Sequence, residues 1–167
     1  LFATHDTSDT SYIFKHALIG EAIYSTIPKG ERPTLHIAAV EALLAGEDRV
    51  NFSEIARHFR EASKHLQASQ YFERSGDVAT VMSAHSESIS EYQEALNMVV
   101  QLPHDTARLR SELKLNVKIA SQFIALRGIP TAEVTPYYAK ALAIGETLDD
   151  ADEQLNSVRI GWSIHLM

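Results

Sequence analysis

The sequence predicts an all-α fold, a right-handed solenoid of helical hairpins preceded by a small β-hairpin. Apolar residues recur at helical spacing along most of the chain, and Gly, Pro or Asp turn signals separate the periodic segments. The longest predicted helix is apolar on two opposite faces, as a helix packed between two neighbours must be. Hydrophobic residues make up 45% of the chain and charged residues 22%, proportions typical of a globular protein.

The N-terminal part combines two short β-prone runs with two helices. LFAT and SYIF flank the turn-forming residues HDTSDT, which predicts a hairpin. Helical periodicity then predicts a helix over 15–27, ended by Pro28 and Gly30. A second stripe predicts a helix over 32–45, ended by Gly46, and its apolar positions are Leu35, Ala38, Ala39, Ala42 and Leu43.

The middle of the chain predicts two helical hairpins. Ser53 is the expected cap of a helix with Ile55, Ala56 and Phe59 on one face. The returning helix is expected to end at Gly76, and Asp77 is expected to cap the next one. The inner positions of the returning helix are Ala68, Phe72 and Ser75; those of the next two are Val78, Val81, Met82 and His85, then Ile89, Tyr92, Leu96 and Val99.

A long helix over 106–126 carries two apolar stripes. One consists of Leu113, Val117, Ala120 and Ile124, and the opposite one of Leu115, Ile119, Phe123 and Leu126. Thr131 is expected to open a further helix, and Asp149 and Asp150 to close it. The last segment, with Trp162 on its apolar face, predicts a helix without a partner, which makes it a candidate dimer contact.

Two features resemble tetratricopeptide repeats. The hairpin over 55–75 places Ile55, Ala56, Phe59, Ala68 and Phe72 at apolar and small positions similar to those of that family. EYQEAL at 91–96 and YYAKAL at 137–142 resemble each other, at a spacing longer than the ~34 residues of a regular repeat. The resemblance implies an irregular tetratricopeptide-like array over 48–167, truncated at its C-terminus.

The segment over 12–44 resembles the winged-helix-like end of the ATPase core in STAND signalling proteins. The resemblance rests on YIFKHAL at 12–18, then Glu21, Ala22 and Tyr24, then Arg32, Leu35, His36, Ala39 and Leu43. In that family the element precedes a tetratricopeptide-like array, as in large transcriptional activators and bacterial multidomain adenylate cyclases. The resemblance therefore implies that 1–47 closes an upstream nucleotide switch, with Phe14, His16, Tyr24 and His36 in structural or interdomain roles.

The sequence carries no signature of catalysis. It lacks the G-x-x-x-x-G-K-[ST] phosphate-binding loop and any H-E-x-x-H pair. The carboxylates at 149–153 lack the spacing of a calcium loop, so we expect a solvated turn there. We expect no enzyme activity, cofactor or metal in this segment; an ATPase or adenylate cyclase activity of the parent would belong to other parts of that protein.

Composition limits the partners. The formal charge of −7 disfavours nucleic acid, no run approaches the ~20 apolar residues of a membrane span, and the absence of cysteine fits a reducing cytoplasm. We therefore expect a regulatory segment that binds a protein or peptide and the rest of its own chain. The basic residues at helical spacing, Arg57, Arg60, Arg110, Lys114 and Lys118, fit two interpretations: a solvated edge of the helices, or a partner surface next to a groove for an acidic or extended segment.

Two other functions stay open at this point. A small-molecule sensor would place its pocket between repeat helices, lined by Tyr137, Tyr138 and Trp162. A DNA-binding winged helix is the other, and the acidic balance of the chain disfavours it.

Overall fold

The computed structural model describes residues 2–6, 9–13, 17–46, 50–128 and 132–148. These ranges form a two-stranded antiparallel pair and seven helices in sequence, and each helix from the second to the sixth packs on the one that follows it. The elements are β1 (Phe2–Asp6), β2 (Asp9–Ile13), α1 (Ala17–Thr26), α2 (Arg32–Ala45), α3 (Phe52–Glu61), α4 (His65–Val81), α5 (His85–Val99), α6 (Thr106–Arg127) and α7 (Thr135–Leu148).

Strands β1 and β2 overlap the two runs from which the sequence predicts a hairpin, and they pair from Phe2 opposite Ile13 to Asp6 opposite Asp9. Phe14 and His16 lie outside the described residues, as do Thr131, Asp149, Asp150, Trp162 and the rest of the predicted last helix. The predicted dimer contact therefore also lies outside them.

The predicted helix break at Gly76 is wrong, because α4 continues through this residue to Val81. Gly76 is buried, and a Cβ built on it would lie 2.5 Å from Cε1 of Tyr92 on α5. The glycine therefore serves close packing of two helices, and this advantage outweighs the cost of glycine within a helix. As a result, Asp77 lies inside α4 instead of capping a new helix, and His85 begins α5.

Two tight turns join α3 to α4 and α4 to α5, and they share one backbone geometry. Ser63 and Ser83 both have φ of 57°, in the left-handed region. The following amides, of Lys64 and Ala84, each donate to a carbonyl five residues earlier in the chain, at 2.8 and 2.9 Å. The sequence pattern did not reveal these turns, since serine is not the residue that usually marks this conformation.

The N-terminus of α3 is also capped differently from the prediction. Asn51 is the cap, and its side-chain oxygen accepts the backbone N–H of Glu54 at 3.2 Å. Ser53 instead donates its hydroxyl to Glu91 on α5. By contrast, the start of α6 is as predicted, with Asp105 accepting the N–H of Arg108.

The core runs continuously from α3 to α7. One cluster joins α3, α4 and α5 to one face of α6, and its buried members are Ala56, Ala68, Phe72, Ile89, Tyr92, Ala95, Val99, Leu115 and Ile119. The other face of α6 packs on α7 and the turn before it: Ala120 lies with Val134, Tyr138 and Ala141, and Leu113 with Ile144. The predicted two-faced helix is thus confirmed, except that Leu126 is exposed.

Candidate functional site

Four of the five basic residues predicted as a partner surface take part in two internal networks. Arg60 on α3 makes an ion pair with Glu94 on α5 at 3.1 Å and another with Glu61 at 3.4 Å. Arg57, one turn earlier and exposed, donates to the hydroxyl of Ser53 at 3.2 Å. The pair of Arg60 with Glu94 connects α3 with α5, and the other two contacts lie within α3.

A second network connects α4 with α6. Lys114 and Lys118 both bind the carboxylate of Glu73, at 2.8 and 2.6 Å, and Lys118 also reaches Asp77 at 2.6 Å. Burial would lower the pKa of Lys118, but the hydrogen bonds to Asp77 and Glu73 together raise it above its ordinary value. Arg110 lies on the exposed side of α6. Two lysines predicted to face a partner are therefore held by carboxylates of the same chain.

Tyr92 belongs to the same polar region. Its hydroxyl donates to Asp77 at 2.6 Å and lies 3.1 Å from the hydroxyl of Thr80. Burial raises the pKa of Tyr92, and the hydrogen bond to Asp77 raises it further. The phenol therefore stays neutral, and its contacts fix the α4–α5 packing.

Helices α1, α2 and α3 are linked by a row of contacts between a tyrosine and two histidines. The hydroxyl of Tyr24 on α1 lies 3.0 Å from Nε2 of His36 on α2, and Nδ1 of His36 lies 2.8 Å from Nδ1 of His58 on α3. Burial lowers the pKa of His36, the proximity of His58 lowers it further, and Glu61 opposes this shift. The guanidinium of Arg32 covers the ring of Tyr24 at 4.4 Å.

A groove of about 520 Å³ lies between the start of α3, the second half of α4 and the start of α5. Val50, Phe52, Val78 and Met82 supply its apolar wall, and Ser53 and Glu87 are among its polar lining residues. Val78 is 45% exposed and Met82 67% exposed. Since neither side chain belongs to the core, both are available to a ligand.

A carboxylate lies beneath one wall of this groove. Glu91, one helical turn after Glu87, is buried and accepts the hydroxyl of Ser53 on Oε1 at 2.8 Å. Its other oxygen, Oε2, is buried without a hydrogen-bond partner among the described residues. Burying a charged oxygen without a hydrogen-bond donor is costly, so Glu91 lowers the free energy of unfolding of the chain.

A smaller cavity of about 190 Å³ lies at the opposite end of α4, lined by Leu66, Leu102 and Arg108 among others. The guanidinium of Arg108 is used internally, by Glu112 at 2.7 Å and by the backbone oxygen of Leu102 at 2.8 Å. This cavity therefore offers little free polar chemistry.

The sequence did not predict the groove residues Val78, Met82 and Glu87, or Glu91, which binds the lining residue Ser53. The predicted break at Gly76 placed Val78 and Met82 on the inner face of a separate helix. Glu87 fell between the predicted helix that contains His85 and the one that contains Ile89. The available signal was the pair Glu87 and Glu91, two like charges four residues apart, which repel each other on a helix without an external counter-charge.

The tyrosines suggested for a small-molecule pocket are packed instead. Tyr138 is buried against Ala120, Val134 and Ala141. Tyr137 stacks on Phe123 and accepts a hydrogen bond from Gln93 at 2.7 Å. Within the described ranges, no three His, Cys, Asp or Glu side chains are arranged to hold a metal ion, and no helix is long and apolar enough to cross a membrane.

Comparisons of the chain with protein-family models, with curated proteins and with solved structures found no match.

Proposed function

We propose that this chain is a non-catalytic regulatory and protein-interaction segment of a larger signal-transduction protein. In this proposal α3–α7 form a tetratricopeptide-like, right-handed array, and the element before them is the winged-helix-like end of a nucleotide switch. The segment then couples the state of that switch to a bound partner or to an output domain.

The contrast between α1–α2 and the helices that follow carries the proposal. Val40 is the one buried apolar residue among the described side chains of α1 and α2, whereas α3–α7 enclose a continuous apolar core. Ile23, Leu35 and Leu44 on α1 and α2 are 48%, 50% and 46% exposed, as some apolar side chains of α4 also are. Exposed apolar side chains on helices that contribute so little to the core would be covered by contact with another domain. The N-terminal helices therefore have the surface expected of a connector.

The junction through Tyr24, His36 and His58 supports the coupling part of the proposal. It joins α1, α2 and α3 through two short polar contacts. A displacement of α1 relative to α2 would change the first contact, and a displacement of α2 relative to α3 would change the second. A rearrangement upstream could therefore reach the array by this route.

The repeated features of α3–α6 support an array of hairpins. The two turns at Ser63 and Ser83 have the same geometry, and polar contacts join α3 to α5 and α4 to α6. Contacts between alternate helices are expected when successive hairpins stack with their equivalent helices side by side.

The reading frame upstream of Leu1 in the natural gene tests the proposal. We expect it to encode a G-x-x-x-x-G-K-[ST] loop, within a domain-sized distance, that follows a predicted strand and opens a helix. A reading frame that starts close to Leu1, or an upstream region without such a loop, would contradict the nucleotide-switch part of the proposal.

A further inference from the structure

We propose that the groove between α3, α4 and α5 binds a short peptide segment in which a lysine or arginine neighbours a large apolar residue. This inference rests on the proposed interaction function and names the chemistry of the partner. It assigns recognition to a surface different from the basic residues that the sequence suggested.

The apolar wall supplies the first half of the argument. Val50, Val78 and Met82 contribute exposed apolar surface to one concave site, and Phe52 lies beside them. A volume of about 520 Å³ falls in the range of ligand pockets, ~300–1,000 Å³, and holds one or two large side chains. Methionine adapts its shape to different partners, which suits a peptide site.

The charges of α5 supply the second half. Glu87 lines the groove and makes no ion pair among the described residues, and Glu91 lies one turn further along the same helix. Two carboxylates at this spacing repel each other, and Ser53 neutralises no charge when it donates to Glu91. A cation at the groove mouth, beside Glu87, would relieve this repulsion.

Neither of the two arginines of α3, Arg57 and Arg60, fills this role. The guanidinium of Arg57 is held on the hydroxyl of Ser53, at 3.2 Å, and makes no ion pair with Glu91. Arg60 is committed to Glu94 and Glu61. The chain as a whole carries a formal charge of −7, so its long-range field also favours a basic partner.

A random heptapeptide library displayed on phage, selected on the immobilised 167-residue chain, tests the proposal. The enriched sequences are expected to place Lys or Arg beside Leu, Ile, Met or Phe. The peptide of consensus sequence is then titrated against four variants by calorimetry. Glu87→Lys and Val78→Asp alter the groove. Their matched controls are Glu146→Lys, on α7, and Val81→Asp. Val81 is 86% exposed and does not line the groove.

We expect Glu87→Lys and Val78→Asp each to weaken the peptide by about tenfold or more, and both controls to bind within about twofold of the unaltered chain. All four side chains are exposed, so thermal unfolding should show the same fold in each variant. Enrichment of acidic peptides, or equal affinity for Glu87→Lys, would overturn the basic partner class. A library that yields no peptide sensitive to Val78→Asp would overturn the groove itself. Each of these failures leaves the proposed function to be judged by the upstream reading frame.

Discussion

Single residues set how closely neighbouring helices approach in this chain. Gly76 allows the ring of Tyr92 to lie where any side chain would place its Cβ, and the tyrosine then reaches Asp77 and Thr80. The sequence predicts a helix end at this glycine because glycine commonly terminates helices. The packing partner that reverses this interpretation lies 16 residues away on another helix, and local periodicity does not reveal it.

Gly76→Ala should destabilise the chain, although alanine is the better helix former by about 1 kcal/mol. The new methyl group would lie 2.5 Å from a ring carbon of Tyr92, and overpacking of this kind costs about 1–3 kcal/mol. Urea unfolding measures the change. Gly30→Ala is the control, because a Cβ there meets nothing within 4 Å, and an equal loss in both variants would contradict the packing argument.

Ser63→Gly and Ser83→Gly should each stabilise the chain by about 0.5–1 kcal/mol, because glycine removes the steric cost of a left-handed residue. The matched control is Ser90→Gly, an exposed position inside α5, where glycine should be destabilising by about 0.5 kcal/mol. The midpoints of thermal unfolding should therefore move in opposite directions. If all three variants lose stability, the left-handed turns are not strained.

At the scale of elements, several predictions from the sequence agree with the structure. The bounds of α2 and the two-faced packing of α6 follow from apolar periodicity, which the core contacts reproduce. The groove could not be predicted in the same way. It forms where α3 begins, α4 ends and α5 begins, and apolar periodicity locates helix ends poorly. The end of α4 is also mispredicted from the sequence, because Gly76 resembles a helix end.

The contact between α2 and α3 should weaken in acid. The pKa of His36 lies below its ordinary value of about 6.5, so the unfolded chain binds a proton more readily than the folded one. The stability that neutral His36 contributes is present above about pH 6.5 and is lost as the pH falls through the folded pKa. When His36 and His58 are both charged, they repel each other at 2.8 Å, and Glu61 offsets part of this cost. Tyr24 contacts His36 from α1, and Arg32 lies over the ring of Tyr24.

Hydrogen exchange of the α2 amides, compared at about pH 7.5 and 5.5 after correction for intrinsic rates, measures this effect. We expect faster opening of α2 at the lower pH in the unaltered chain and a smaller pH effect in His36→Gln. His104→Gln, at an exposed loop position, is the control and should behave like the unaltered chain. An unchanged pH effect in His36→Gln would show that the histidine pair is not the sensitive contact.

At the scale of the whole molecule, the described residues combine a well-packed part and a part with exposed apolar surface. Helices α3–α7 share a core and are joined by the pairs of Arg60 with Glu94 and of Lys118 with Glu73. In α1 and α2, Val40 is the one buried apolar residue among the side chains from 20 to 45 that the structure describes. This difference is what a connector attached to a stable array requires, and it is the physical basis of the proposed function.

Hydrogen exchange of the natural full-length protein, with and without bound ATP, tests the central claim most directly. We expect ATP to change exchange in the amides of α1 and α2, where the connector would contact the nucleotide switch, while the core of α3–α6 keeps its protection. Unchanged exchange over residues 17–46 in the presence of ATP would contradict the account.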